Sequence, residues 1–138
     1  MYGTLDISTS GMIAQRTRMT VIASNIANAN SIQNAQGEYD PYLRRAAMFA
    51  PGDPSAGSAR GRELGVHVDE IQIEQDALRP QYMPGHRFAD REGYVMVPDI
   101  DTTMEWVNAM QASRAYEANV AAAETTKSMV AQALRLLA

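Results

Sequence analysis

Two histidines and a scatter of carboxylates are the groups in this sequence with a claim to chemistry. His86 sits in Pro84-Gly85-His86-Arg87, with Asp90 and Glu92 close behind. That pattern could serve as a general base and its orienting carboxylate. The spacing matches no specific template, and no serine occupies a nucleophile elbow. His67 and Asp69 alternate along a strand pattern and so share one face, but no third metal ligand lies nearby in sequence. Asp99 and Asp101 lack the surroundings of a calcium loop, and capping a following helix explains Asp101 better. The glycines never gather into a phosphate-cradling loop. The sequence therefore offers no catalytic residue, no metal site and no cofactor site.

Composition excludes further classes. The net charge is -4, and Arg44-Arg45 and Arg60-Gly61-Arg62 are too short to track phosphates, so no nucleic acid is expected. There is no cysteine, hence no disulfide framework or thiolate. The longest unbroken apolar run, Ala46 to Ala50, is far short of a membrane span. Asp6 precedes any basic residue, and no apolar run follows, so a cleavable signal pattern is not expected either. Nine methionines stand beside only two phenylalanines and one tryptophan. Such apolar surface is adaptable and suits contacts with several neighbours.

The elements that would carry these residues fall into three parts: 1–30, 31–100 and 101–138. All six prolines lie between Pro41 and Pro98, and seven of the nine glycines between Gly37 and Gly93. The two ends are thus free to form long helices. Between Thr4 and Asn28, Leu5, Met12, Met19 and Ile26 recur every seven residues, with Ser8, Gln15 and Ile22 at the companion position. Gly11 weakens that helix. From Asp101 onward a seam reads Trp106, Ala109, Ser113, Tyr116, Val120, Ala123, Lys127, Val130, Leu134 and Leu137, at alternating intervals of three and four. Ten alanines lie in this stretch.

The middle reads as loops with short strands. Leu64, Val66 and Val68 alternate, and Ile71 and Ile73 resume in the opposite phase, which predicts a bulge near Asp69 and Glu70. Tyr94 to Val97 is a second strand, Tyr42 to Phe49 a weaker one, and Pro51 to Gly61 reads as a mobile loop. The expected fold is mainly α. Long N- and C-terminal helices form an antiparallel coiled-coil-like pair, with a small irregular β-containing middle region.

The seams hold Ser8, Gln15, Ser113 and Lys127, so one helix pair buries little apolar area. Ile13, Met110, Met129 and Leu136 lie off the seam. A helix apolar on more than one stripe has more than one partner. The expected assembly surface comprises Leu5, Met12, Met19, Ile22, Ile26, Trp106, Met110, Tyr116, Val120, Val130 and Leu134.

The run Asp6 to Met12, followed by Arg18 to Asn28 with Ser24, Asn25 and Asn28, resembles the N-terminal signature of flagellar axial proteins. That group comprises rod, hook and hook-associated subunits. Trp106 to Val120, with Ser113, Arg114, Tyr116, Glu117 and Asn119, resembles the group's C-terminal signature. Pro84-Gly85-His86, Ala89-Asp90, Gly93-Tyr94-Val95 and Pro98-Asp99-Ile100-Asp101 are similar to the proximal rod subclass, although Asp99 stands where Asn is usual. The resemblance implies a structural rod subunit. Its partners would be copies of itself, other rod subunits and the flagellar export apparatus, with no small-molecule substrate. It would be exported without a cleaved signal and would lie in the rod that spans the periplasm. Two other classes remain open from the residues alone: a helical adaptor that does not polymerise, and a small enzyme using His86.

Overall fold

The computed structural model describes residues 2–137, without the side chains of Tyr2 and Leu137. The last member of the expected seam, Leu137, therefore lies outside the described side chains, and Met1 and Ala138 lie outside altogether. The order of elements is α1 (Tyr2–Ala27), β1 (Arg45–Pro51), α2 (Ala59–Leu64), β2 (Val66–Ile73), β3 (Leu78–Tyr82), β4 (Tyr94–Pro98) and α3 (Thr102–Leu137).

The two long helices occupy the proline-free ends. The Asp101 carboxylate accepts from the Thr103 amide at 2.8 Å and the Met104 amide at 3.3 Å, which caps the start of α3. With 36 residues, α3 extends roughly 54 Å. Asn25 meets Glu105 and Gly11 meets Asn119, the same interval along each helix, so α1 and α3 run antiparallel. In this register α1 begins opposite about residue 128 of α3. The last two turns of α3 project beyond it.

The α3 stripe that meets α1 lies one residue out of step with the expected seam. Glu105 and Ala112 are buried, and Asn119, Thr126 and Ala133 continue that heptad, half-buried. Ala109, Tyr116, Ala123 and Val130 remain as its companion positions, half-buried. Trp106 is 59% exposed and Leu134 62% exposed, and Lys127 also points to solvent. Small residues explain the phase. Gly11 and Ala112 have little bulk, so the backbones approach closely, whereas Trp106 at the contact would hold them apart.

α1 is covered on a second side by the middle region. The strands β1 and β2 form an antiparallel pair whose register shifts between Met48 and Phe49. Met48 faces Glu70 and Phe49 faces Val68, leaving Asp69 as the extra residue of a bulge where the change of alternation predicts one. The second pair, β3 and β4, was half expected: β4 matches Tyr94 to Val97, but β3 contains Pro80, which hides a strand from sequence reading. Leu64 ends a helix and does not begin a strand.

The Pro51 to Gly61 segment is tied down. It contains a turn and the start of α2, whose N-cap Ser58 accepts from the Gly61 amide at 3.0 Å. The Asp6 carboxylate on α1 accepts from the Ser58 amide at 3.0 Å, and Ser10 Oγ accepts from the Val66 amide at 3.1 Å. The β3–β4 pair is anchored separately. Tyr39 donates its hydroxyl to the Met96 carbonyl at 2.9 Å and packs its ring, tilted by 48°, against Phe88, and Arg87 donates to the Gly37 carbonyl.

Candidate assembly interface

The site is built at the junction of the two helices and the middle region. Asn25, in the last turns of α1, has no exposed surface. Its Nδ2 donates to the Arg45 carbonyl at 2.8 Å and to Glu105 Oε2 at 3.0 Å. Its Oδ1 accepts from the Arg45 amide at 3.0 Å and the Tyr42 hydroxyl at 3.1 Å. All of the amide's hydrogen-bonding capacity is thereby used. Toward Arg45 it acts as a strand edge would, matching one donor and one acceptor of the backbone.

Glu105 is the other half of this junction and is only 2% exposed. A buried carboxylate requires a compensating charge. Arg44 supplies it, with Nε and Nη2 donating to Glu105 Oε1 at 3.0 and 2.7 Å. The same guanidinium donates to Glu74 just beyond β2. Burial by itself would lower the Arg44 pKa. The hydrogen bond and charge of Glu105, together with those of Glu74, outweigh it, so the pKa is raised above its ordinary value. The junction thus joins α1, α3 and the hairpin through one ion pair and one amide.

The remaining signature residues have separate duties. Ser24 Oγ lies 3.1 Å from the Tyr42 hydroxyl, and Asn28 donates to the Ser24 carbonyl at 2.9 Å to close α1. Ser113 donates to Glu117 at 3.3 Å. Asn119 donates to the Ala115 carbonyl at 2.8 Å and lies over Gly11. Arg114 is exposed. Tyr116 lies beside Thr9, Met12, Ile13 and Arg16 of α1. Sequence reasoning missed the roles of Arg44, Tyr42 and Glu105 in this junction. An Arg-Arg pair close to a strand was the available signal.

Among the expected assembly residues, Ile22 is buried. Leu5, Met12, Met19, Ile26, Tyr116, Val120 and Val130 are half-buried. Trp106, Met110 and Leu134 are exposed. With Ile22, Ile26 and Ala109, Met19 and Trp106 line an apolar hollow of about 240 Å³ on the surface of the pair. Met129 and Leu136, on the projecting end, are 64% and 88% exposed.

The histidines are engaged locally. His67 Nδ1 is 2.7 Å from the Gly52 carbonyl, and His86 Nδ1 accepts from the Phe88 amide at 3.3 Å. Asp90 Oδ1, the supposed partner of His86, instead accepts from the Glu92 and Tyr94 amides at 2.9 and 2.8 Å. Among the described residues no helix is long and apolar enough to cross a membrane.

Both terminal segments match known families. Residues 5–36 match the family described as flagella basal body rod protein, and residues 91–136 match the flagellar basal body rod FlgEFG protein C-terminal family. The flagellar basal-body rod protein FlgC of Salmonella typhimurium is 40% identical over 131 residues, covering 95% of this chain and 93% of that protein. This chain belongs to the flagellar basal-body rod protein family. The FlgC protein of Bacillus subtilis is 33% identical over 145 residues, 98% of this chain and 97% of its own. That of Borreliella burgdorferi is 33% identical over 150 residues, 99% of this chain and 97% of its own. As a member of the rod family the chain is a structural subunit of the flagellar basal body and not an enzyme.

Proposed function

We propose that the chain is a proximal rod subunit that stacks helically with copies of itself and with other rod subunits to transmit torque. Residues 1–30 and 101–138 form the helical core of the stack, and 31–100 an outer region. The subunit is exported by the flagellar export apparatus without a cleaved signal and takes its place in the rod across the periplasm. Coiled-coil-like seams run between subunits as well as within one.

The observation that carries this reading is the set of exposed apolar residues distributed around α3. Trp106, Met110, Met129, Leu134 and Leu136 are all exposed, and the last three lie beyond or near the end of α1. Among the described residues nothing covers them, and neighbouring subunits supply that cover. Long helices held side by side also resist twisting through many small contacts, which is what torque transmission asks of a rod. The same economy links order to assembly. Fixing each residue's backbone costs roughly 1–2 kcal/mol, and the thin apolar seam between α1 and α3 leaves part of that to be offset by neighbours.

The test replaces Trp106 or Leu134 by Asp in a motile strain. Each variant should be exported at normal levels, yet rods should remain incomplete and cells should not swim. Normal swimming with both variants would sink the proposed interface.

A further inference from the structure

α3 has two unequal ends. Its start is locked by Glu105, and among the described side chains of α3 the buried ones are Glu105 and Ala112. From Ser113 to Leu136 every described side chain is half-buried or exposed. Among the described elements α3 packs on α1, and the projecting end has no α1 opposite it.

The residues that receive Glu105 come from the middle region. Arg44, Arg45 and Tyr42 stand just before and at the start of β1, and they place a cation, a backbone edge and a hydroxyl around one point. Asn25 and Glu105 are the residues of α1 and α3 that enter this socket. Asn25 is 20 residues from Arg45 along the chain. Glu105 follows closely on β4, which ends at Pro98. Once the middle region has folded, the Glu74 amide is bonded to the Arg44 carbonyl and the Asp99 amide to the Ala77 carbonyl. Glu105 then reaches Arg44 over a short tether, although the two are 61 residues apart in sequence, and closure entropy is low for short loops. Helix extension from a formed turn is then far easier than a new start elsewhere.

We infer that the Asn25–Glu105–Arg44 junction is the point from which the terminal helices order, so that α3 grows outward from Glu105 and its last two turns order only against a neighbouring subunit. This inference rests on the reading that the helices order on assembly. It adds a direction and a starting point. The junction acts as a built-in sequence control: the root of the helix pair is set on the middle region before the tip, with its exposed Met129, Leu134 and Leu136, becomes a helix that can engage a neighbour.

The test is amide hydrogen exchange read by mass spectrometry on the purified full-length chain, from dilute verified monomer to concentrations at which it associates. Segments 20–27 and 102–112 should gain protection first and remain at least about tenfold slower to exchange than 126–137 until association is complete. Glu105→Gln, which keeps the shape but removes the charge, should erase this lead. Leu134→Asp should leave the protection of the root unchanged while keeping the tip unprotected at all concentrations. Simultaneous gain by root and tip, or a tip that leads, would overturn the inference, as would an undiminished lead in Glu105→Gln. If both helices are already protected in dilute monomer, the assembly-linked reading fails. Rising urea on the same samples then decides the inference, because the tip must lose protection before the root.

Discussion

Gly11 and Asn119 face each other across the helix pair so closely that a Cβ on Gly11 would lie 2.7 Å from the Asn119 side-chain oxygen. That distance is shorter than real contacts allow, so Gly11 marks a point where α1 leaves room for the Asn119 side chain of α3. Its cost to helix propensity is the condition for the contact.

Gly11→Ala should therefore lower stability although alanine is the better helix former. Propensity gains about 1 kcal/mol, while overpacking costs roughly 1–3 kcal/mol. Combining it with Asn119→Ala should recover most of the loss, because the obstructing amide is gone. Thermal melts of the four proteins in a double-mutant cycle measure the coupling. Additive effects would mean that the two residues do not meet.

Removing one partner of the buried pair should cost more than removing both. Arg44→Met leaves Glu105 buried with Asn25 but no counter-charge, a loss of about 3–5 kcal/mol for a fully buried pair. The value should fall toward the lower end, since Arg44 keeps 27% of its side-chain surface. Arg44→Met with Glu105→Leu should be milder than Arg44→Met alone. Urea denaturation midpoints give the comparison.

The α2 segment should tolerate change poorly. A Cβ on Gly61 would come within 2.7 Å of the Asp6 Cβ and 2.8 Å of the Ala56 Cβ, neither of which can swing aside. Gly61→Ala should cost about 1–3 kcal/mol and should impair motility. Gly57→Ala, whose Cβ would meet nothing, should be nearly neutral. Equal behaviour of the two in a swimming assay would detach α2 from α1.

Both histidines should be dispensable for motility. His67→Ala gives up one hydrogen bond to the Gly52 carbonyl, worth about 1 kcal/mol. His86→Ala gives up a weaker one to Phe88. Swim-plate diameters should match the parent for each, and a non-motile variant present at normal levels in the rod would reveal a function at that position.

Much of the architecture was legible because it depends on what the chain lacks. Without glycine or proline after Asp101, and with Asp101 itself as a cap, little but a long helix can form there. The phase change around Asp69 was equally readable, since alternation is a local property of a strand. Pro80 and Gly61 misled in the same way: each disfavours the element it sits in, and contacts formed by the fold outweigh that local preference. β3 survives through its pairing with β4, and α2 through its seat on α1.

The sequence by itself determined the two long helices, the mixed quality of their seam and the family signature, because these rest on local propensity and on residue order. Only the tertiary structure decided which stripe of α3 meets α1. Periodicity names a set of parallel stripes one residue apart, and the apolar one through Trp106 and Leu134 is the natural choice on hydrophobicity. The contact goes instead to Glu105, Ala112 and Asn119. Gly11 permits close approach there, and Arg44, 61 residues away in the chain, neutralises the buried carboxylate. A partner that distant can be recognised only after folding has brought it near. Its arrival turns Trp106 and Leu134 outward, onto the exposed surface of the helix pair.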